Sequence, residues 1–295
     1  MSVHGKVRIG ISGWRYKGWR GVFYPKKLPQ RSELDFASRE FNTIELNGSF
    51  YSLQRPESFE AWSLETPAGF QFAVKGSRFI THMRRLREIE VPLANFFAQG
   101  LLRLGPKLGP VLWQFPPNFK FDSERLEAFF EILPRNQKAA AVLGRRHDQR
   151  LDDRSWLDTR KTTRVRHAVE IRHESFVCEE FIALLRRHNI ALVVADTVEW
   201  PLLMDVTADF VYCRLHGSEQ LYASGYDDKA LDVWAERVAI WARGGDVHNG
   251  LRASSENAEK RKRRDVFVYF DNDAKVRAPF DAKGLCSRVN QLLAE

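Results

Sequence analysis

A chain of 295 residues, 44% apolar and 28% charged, has an ordinary globular composition with ample material for a large core. Its opening, MSVHGKVRIG, lacks the apolar core of a signal peptide, and no apolar run is long enough to cross a bilayer, so a membrane partner is excluded and a cytoplasmic location is the expectation. Cys178, Cys213 and Cys286 are odd in number and widely spaced, which argues against a disulfide framework and a zinc ribbon, while 46 Lys+Arg against 38 Asp+Glu, a net +8, permit a polyanionic partner without requiring one.

In chain order, Lys6 to Ser12 reads as a first strand, followed by an aromatic loop, WRYKGWRGVFYP, whose rings are expected to pack rather than to stack on a ligand. Ser32 to Phe41 reads as a helix with Ser32 and Asp35 at capping-box spacing. A second strand, Asn42 to Leu46, precedes a helix from Pro56, a third strand, Phe70 to Lys75, and a loop carrying His82. Pro92 to Leu104 is expected to be helical, and a fourth strand, Pro110 to Gln114, stops at Pro116-Pro117. Asp122 to Leu133 and Gln137 to Arg150 read as helices, the second one basic.

The stretch VRHAVEIRHESF, Val165 to Phe176, holds the fifth strand, with Glu170 and Arg172 on one face at its end. A helix over Val177 to His188, a strand over Ile190 to Ala195 ending at Asp196, and a strand over Asp209 to Leu215 follow; Thr197 to Ala208 shows no helix. A helix over Asp228 to Arg243, a polar insert ending in the basic run Lys260 to Arg264, expected to be solvated, the strand Val266 to Phe270 and a helix over Asp281 to Leu293 complete the chain.

Eight strands alternating with helices predict an α/β fold: a single parallel (β/α)8-type TIM-like barrel over residues 1–295, with a loop in place of the helix between strands 6 and 7. The barrel is preferred to an open doubly wound sheet because nearly every strand ends in polar residues, and only a barrel gathers all those ends at one mouth. That mouth would collect Ser12, Glu45, Asn47, Lys75, Gln114, Glu170, Arg172, Asp196, Arg214, His216 and Asp271. His216, with Glu170, Glu45 or Asp196 as partner carboxylate, is the candidate acid/base group; Lys75, Arg172 and Arg214 suit an anionic substrate. His82 would complete the mouth or cap a turn. Glu45, Glu170, Asp196, His216 and Asp271 are donors that a divalent metal accepts, but the neighbouring cations oppose one, and no motif assigns a cofactor. Nucleotide-binding fingerprints are missing. An alternative partner is nucleic acid, met by the positive charge and by Trp14, Tyr16, Trp19, Tyr51, Tyr222 and Tyr226; a further alternative is a non-catalytic small-anion binding module. Oligomeric state is not legible.

The runs GISGWRYKGW (Gly10 to Trp19), ELNGSFY (Glu45 to Tyr51), Lys75 to His82, QFPP from Gln114, Glu170-Ile171-Arg172, RLHG from Arg214, and YFDND (Tyr269 to Asp273) resemble, in order, the motifs of the YecE-like family, domain of unknown function seventy-two. The resemblance implies a TIM-like barrel, likened to endonuclease-type barrels, and adds Asn272 to the candidate substrate-binding residues. Phe176 and Asp271 depart from commoner family forms, where Trp and Asn are frequent at those positions.

Overall fold

Residues 3–159, 163–217, 221 and 224–294 are described in the computed structural model. Their fold is an α/β TIM-like barrel. Eight parallel strands, β1 (Val7–Ser12), β2 (Thr43–Leu46), β3 (Gln71–Lys75), β4 (Leu108–Gln114), β5 (His167–Glu170), β6 (Ala191–Asp196), β7 (Phe210–Leu215) and β8 (Asp265–Phe270), pair in sequence order. Closure comes from β8, which pairs with β1 through Val7↔Val266 to Ile11↔Phe270. Around the barrel run α1 (Glu33–Glu40), α2 (Gly48–Tyr51), α3 (Pro56–Glu65), α4 (Glu90–Ala98), α5 (Ser123–Ile132), α6 (Gln137–Gly144), α7 (Glu179–His188), α8 (Asp228–Ala242) and α9 (Ala278–Ala294). Between β6 and β7 the chain forms no regular helix, as its Trp-Pro pair implies.

Strand alternation decides what fills the lumen. Ala73, Leu112, Ala168, Ala191, Val193 and Ala195 contribute small or apolar side chains, and two tyrosines, Tyr212 and Tyr269, occupy the centre with ring centroids 5.0 Å apart. The room comes from the smallest residues: a Cβ on Gly10 would lie 1.9 Å from the Thr43 carbonyl oxygen. Both hydroxyls are satisfied, Tyr212 donating to Glu45 Oε2 at 2.6 Å and Tyr269 sharing a hydrogen bond with Thr43 Oγ1 at 2.7 Å. This layer divides the lumen into two polar ends.

Several local expectations fail for identifiable reasons. Ser32 caps nothing: it ends a 3-10 turn, Gln30–Ser32, with φ −98° and ψ 2° instead of the extended conformation of an N-cap, and Asp35 is bound to Arg39 at 2.7 Å. The helix expected over Pro92 to Leu104 breaks at Gly100, and a 3-10 segment follows. Gly100 has a φ of 110°, and a Cβ there would lie only 2.4 Å from the Pro56 Cα, so the position has room for glycine alone. The helix from Gln137 stops at Gly144, and Asp148 starts a separate 3-10 turn, Gln149–Leu151, by accepting from the Arg150 N–H. The aromatic loop does pack: Trp14, Trp19, Phe23 and Tyr24 are buried.

The basic run is two things. Lys260 to Arg263 are exposed, but Arg264 is buried and donates to the carbonyls of Gly244 (2.7 Å), Gly245 (2.6 Å) and Glu259, so it ties the insert to the end of α8. Replacing Arg264 by Met leaves those carbonyls without donors and should lower the unfolding free energy in urea by about 2–3 kcal/mol, against less than about 0.5 kcal/mol for Lys262→Met. Equal effects at the two positions would make Arg264 one more surface charge.

Candidate functional site

At the C-terminal end of the strands, alternation turns Ser12, Glu45, Gln114, Glu170 and Arg214 inward. Parallel strands buried on both faces are apolar throughout, so these polar side chains sit in a dry lumen and must satisfy one another. Arg214, 1% exposed, does most of this. It reaches Glu170 Oε2 at 2.7 Å, Glu45 Oε1 at 3.0 Å and Asp271 Oδ2 at 2.7 Å, and lies 3.4 Å from Ser12 Oγ. Ser12 donates to Glu45 at 2.7 Å and accepts from Asn47 Nδ2 at 2.9 Å; Gln114 and Arg172 both donate to Glu170 Oε1 at 2.8 Å. His216 is fully buried, its Nδ1 3.2 Å from Asp271 Oδ2, with the Trp200 ring edge-on 5.6 Å away.

The electrostatics follow from this pairing. Burial alone would raise Glu170, but Arg214 and Arg172 hold it well below the ordinary carboxylate range, and Asp271 is held down in the same way by Arg214 and His216. Lys75, buried and then opposed by Arg214, falls to about 8. Its ammonium sits 4.4 Å from the centre of the Phe50 ring.

Beside this hub opens a cleft of about 570 Å³ lined by Tyr51, Lys75, Arg78, His82, Gln114 and Arg172, with Phe50 and Met83 completing the lining. Among the described residues the lining contains three cations and no carboxylate. His82 accordingly belongs to the mouth. Burial and the nearby Lys75 and Arg172 lower it to about 4, so it is neutral at pH 7, its Nδ1 hydrogen-bonded to Thr81 Oγ1 at 2.8 Å. Tyr51 is exposed and carries Arg78 over its ring at 5.4 Å, while Arg172 lies over the Trp200 ring, 3.9 Å from its centre.

Not every expected residue arrives there. Arg214 is consumed by its three carboxylates and does not line the cleft. Asp196 belongs to the other face of its strand: Ala191, Val193 and Ala195 point inward, and Asp196 bonds Trp234 Nε1 at 3.1 Å and Tyr226, burial raising its pKa. Tyr226 and Asn272 are engaged away from the cleft. The first accepts from Gly217 N–H at 3.1 Å, and the second donates to Asp281 at 2.7 Å and to the Ser224 carbonyl at 2.9 Å. Trp14, Tyr16 and Asn47 line a separate recess of about 320 Å³. Tyr222 lies outside the described residues. No group of three or more His, Cys, Asp or Glu among the described residues is arranged to hold a metal ion, and a guanidinium already fills the space between Glu45, Glu170 and Asp271.

Three residues escaped the sequence reading. Arg78 sits one turn beyond Lys75, at the start of what proves to be a π-helical turn, Phe79–Met83, and Tyr212 precedes Arg214 by two on the same strand face. Asp273 follows Asp271 by two; burial and the charge of Asp271 push it up to about 6, and it interacts with the Tyr16 hydroxyl. Strand phase, counted from Arg214, is the available signal for Tyr212; Asp273 lies beyond β8 in a turn and has none.

A family profile described as protein of unknown function DUF72 matches residues 8–295. The UPF0759 protein YecE of Escherichia coli K12 is 29% identical over 255 residues, 80% of this chain and 82% of that one. The UPF0759 protein YunF of Bacillus subtilis is 34% identical over 128 residues, 41% of this chain and 43% of that protein. Among solved structures, a DUF72 family protein from Thermotoga maritima superposes with a TM-score of 0.72 at 25% identity, covering 98% of this chain and all of that one. One from Enterococcus faecalis, at 16% identity and a TM-score of 0.66, shares the fold.

The hub has a pH signature. Glu170 and Asp271 have folded pKa values below their unfolded ones, so their stabilisation is full above about pH 4 and is lost as the pH falls below that. Arg214→Met strands three buried carboxylates, costs about 3–5 kcal/mol at pH 7, and reverses the slope: the variant gains stability from pH 7 to pH 5 as the unpaired acids take up protons. Denaturant unfolding at both pH values reads this. Parallel curves for the two proteins would mean that Arg214 does not carry the charge of those acids.

Proposed function

The chain belongs to the DUF72 family, and on that premise we propose that its barrel mouth is the active site of an enzyme that binds a phosphorylated or otherwise anionic small substrate, a sugar phosphate or a phosphodiester, and moves protons on it without a nucleotide cofactor. The observation that carries this reading is the sorting of charge at the mouth. The carboxylates turn inward to Arg214, and Lys75, Arg78 and Arg172 line the cleft with Gln114. An anion entering there meets cations already held in place, with Arg172 fixed by Glu170 and the Trp200 face, so little side-chain ordering remains to be done on binding.

Acid/base work falls to the cleft group poised near neutrality. Lys75, near 8, carries its proton at pH 7 and serves as anion anchor and proton donor. His216 acts from behind. Buried and paired with Asp271, it orients that carboxylate beside Arg214 and does not meet the substrate directly.

Titration with inorganic phosphate and a panel of sugar phosphates, followed by calorimetry, tests the binding half. Lys75→Gln and Arg172→Gln should each weaken binding by about tenfold or more, as loss of a charge-assisted hydrogen bond does. Binding that is unchanged in both variants would remove the cleft from the reading, and tight, salt-dependent binding of single-stranded DNA in preference to the small anions would shift it to a nucleic-acid ligand. For any substrate turned over, kcat/KM should fall through about pH 8 as Lys75 loses its proton, and Lys75→Gln should erase that limb.

A further inference from the structure

The opposite end of the lumen, below the Tyr212–Tyr269 layer, is also charged, and nothing in the mouth chemistry uses it. A recess of about 500 Å³ opens there at the N-terminal ends of β1, β3, β4 and β8 and ahead of β5. Lys6, Arg8, Arg164, Arg166 and Arg263 line it, with Asp265 as the one carboxylate of the lining.

Asp265 is already engaged. Its Oδ2 accepts from Arg166 at 2.9 Å and its Oδ1 from the Lys6 backbone N–H at 2.9 Å. Arg164 is paired outside the recess with Asp209 at 2.5 Å. That leaves Arg8. It is 8% exposed, its guanidinium lies 5.4 Å from the centre of the Phe267 ring, and it hydrogen-bonds to no described residue. Arg166 stands over the neighbouring Phe210 ring at 5.3 Å. The two guanidinium groups are therefore held by aromatic faces, which fix position and leave N–H donors unspent. Desolvation lowers the Arg8 pKa, the charge of Asp265 offsetting part of that, and the guanidinium is open to the recess. An anion with several oxygen atoms would offset more of it, since it accepts in pairs from planar guanidinium groups.

We propose that this recess at the base of the barrel is a second ligand site, distinct from the mouth, that binds a small phosphorylated molecule through Arg8 and Arg166, with Arg263 at its rim. The volume exceeds what one phosphate group occupies and suits a diphosphate or a phosphate with a modest organic part. The size of the recess, about 500 Å³, favours a small molecule over a polymer strand.

The test uses the full-length chain carrying Lys75→Gln, so that the mouth is weakened and the two sites are told apart. Isothermal titration with inorganic pyrophosphate at fixed ionic strength should show one bound molecule per chain. Adding Arg8→Gln should weaken it by about tenfold or more, the size of a lost charge-assisted contact, and Arg263→Gln by several-fold. If Arg8→Gln does not fold, as judged by circular dichroism, the exposed Arg263→Gln position decides alone, and unchanged affinity there overturns the proposal. Absence of saturable binding in the Lys75→Gln chain overturns it as well. So does preference for single-stranded DNA over pyrophosphate, lost with the same two variants, since the ligand would then be a polymer.

Discussion

One guanidinium holds the top of this barrel together. Arg214 is buried in a lumen that could not otherwise accept Glu45, Glu170 and Asp271, and those three acids stand on β2, on β5 and just past β8. A single side chain from β7 thereby ties strands that share no backbone ladder with one another. Buried ion pairs of this kind add little net stability compared with an apolar core, because desolvation offsets most of the attraction. What the cluster contributes is register: each acid must sit at one height and one angle to reach the same guanidinium, so the strand ends are held to a common geometry, as preorganised chemistry demands.

Neutrality of the hub has a second effect. Three acids stand against Arg214, Lys75 and Arg172, so the hub carries little net charge, and with the acids turned toward Arg214 it is Lys75 and Arg172 that face the cleft. Had the acids faced the cleft, it would repel the anions that its arginines attract. The direction in which Glu170 points is thus as important to the proposed binding as the presence of Arg172. Sharing of one carboxylate by Gln114, Arg172 and Arg214 is what sets that direction.

Most of the fold is legible in the sequence because it rests on features that a parallel barrel cannot avoid. Each strand is a short apolar run ended by polar residues; seven runs match the observed strands to within a residue or two at their bounds, and the fifth, read within Val165 to Phe176, ends at Glu170, ahead of Arg172. The site is legible in composition but not in direction. Both faces of a barrel strand are apolar, so hydrophobicity does not reveal phase, and Asp196, expected in the mouth, faces α8 instead. The helix ends fail where tertiary contacts override local pattern, as at Ser32 and Gly100. Arg264 looks like the last member of a solvated run because its partners are backbone carbonyls from the end of α8 and from the insert, which carry no sequence signal.

The missing helix between β6 and β7 belongs to the same logic. A helix there would pack on the outside of the barrel, as the others do, and would leave the mouth uncovered. The irregular segment instead lays Trp200 across the rim, where it meets His216 edge-on and supports the face of Arg172. Arg172 is thereby held between the Trp200 face and the Glu170 carboxylate before any ligand arrives, which is the preorganisation that the anion binding proposed for the mouth requires.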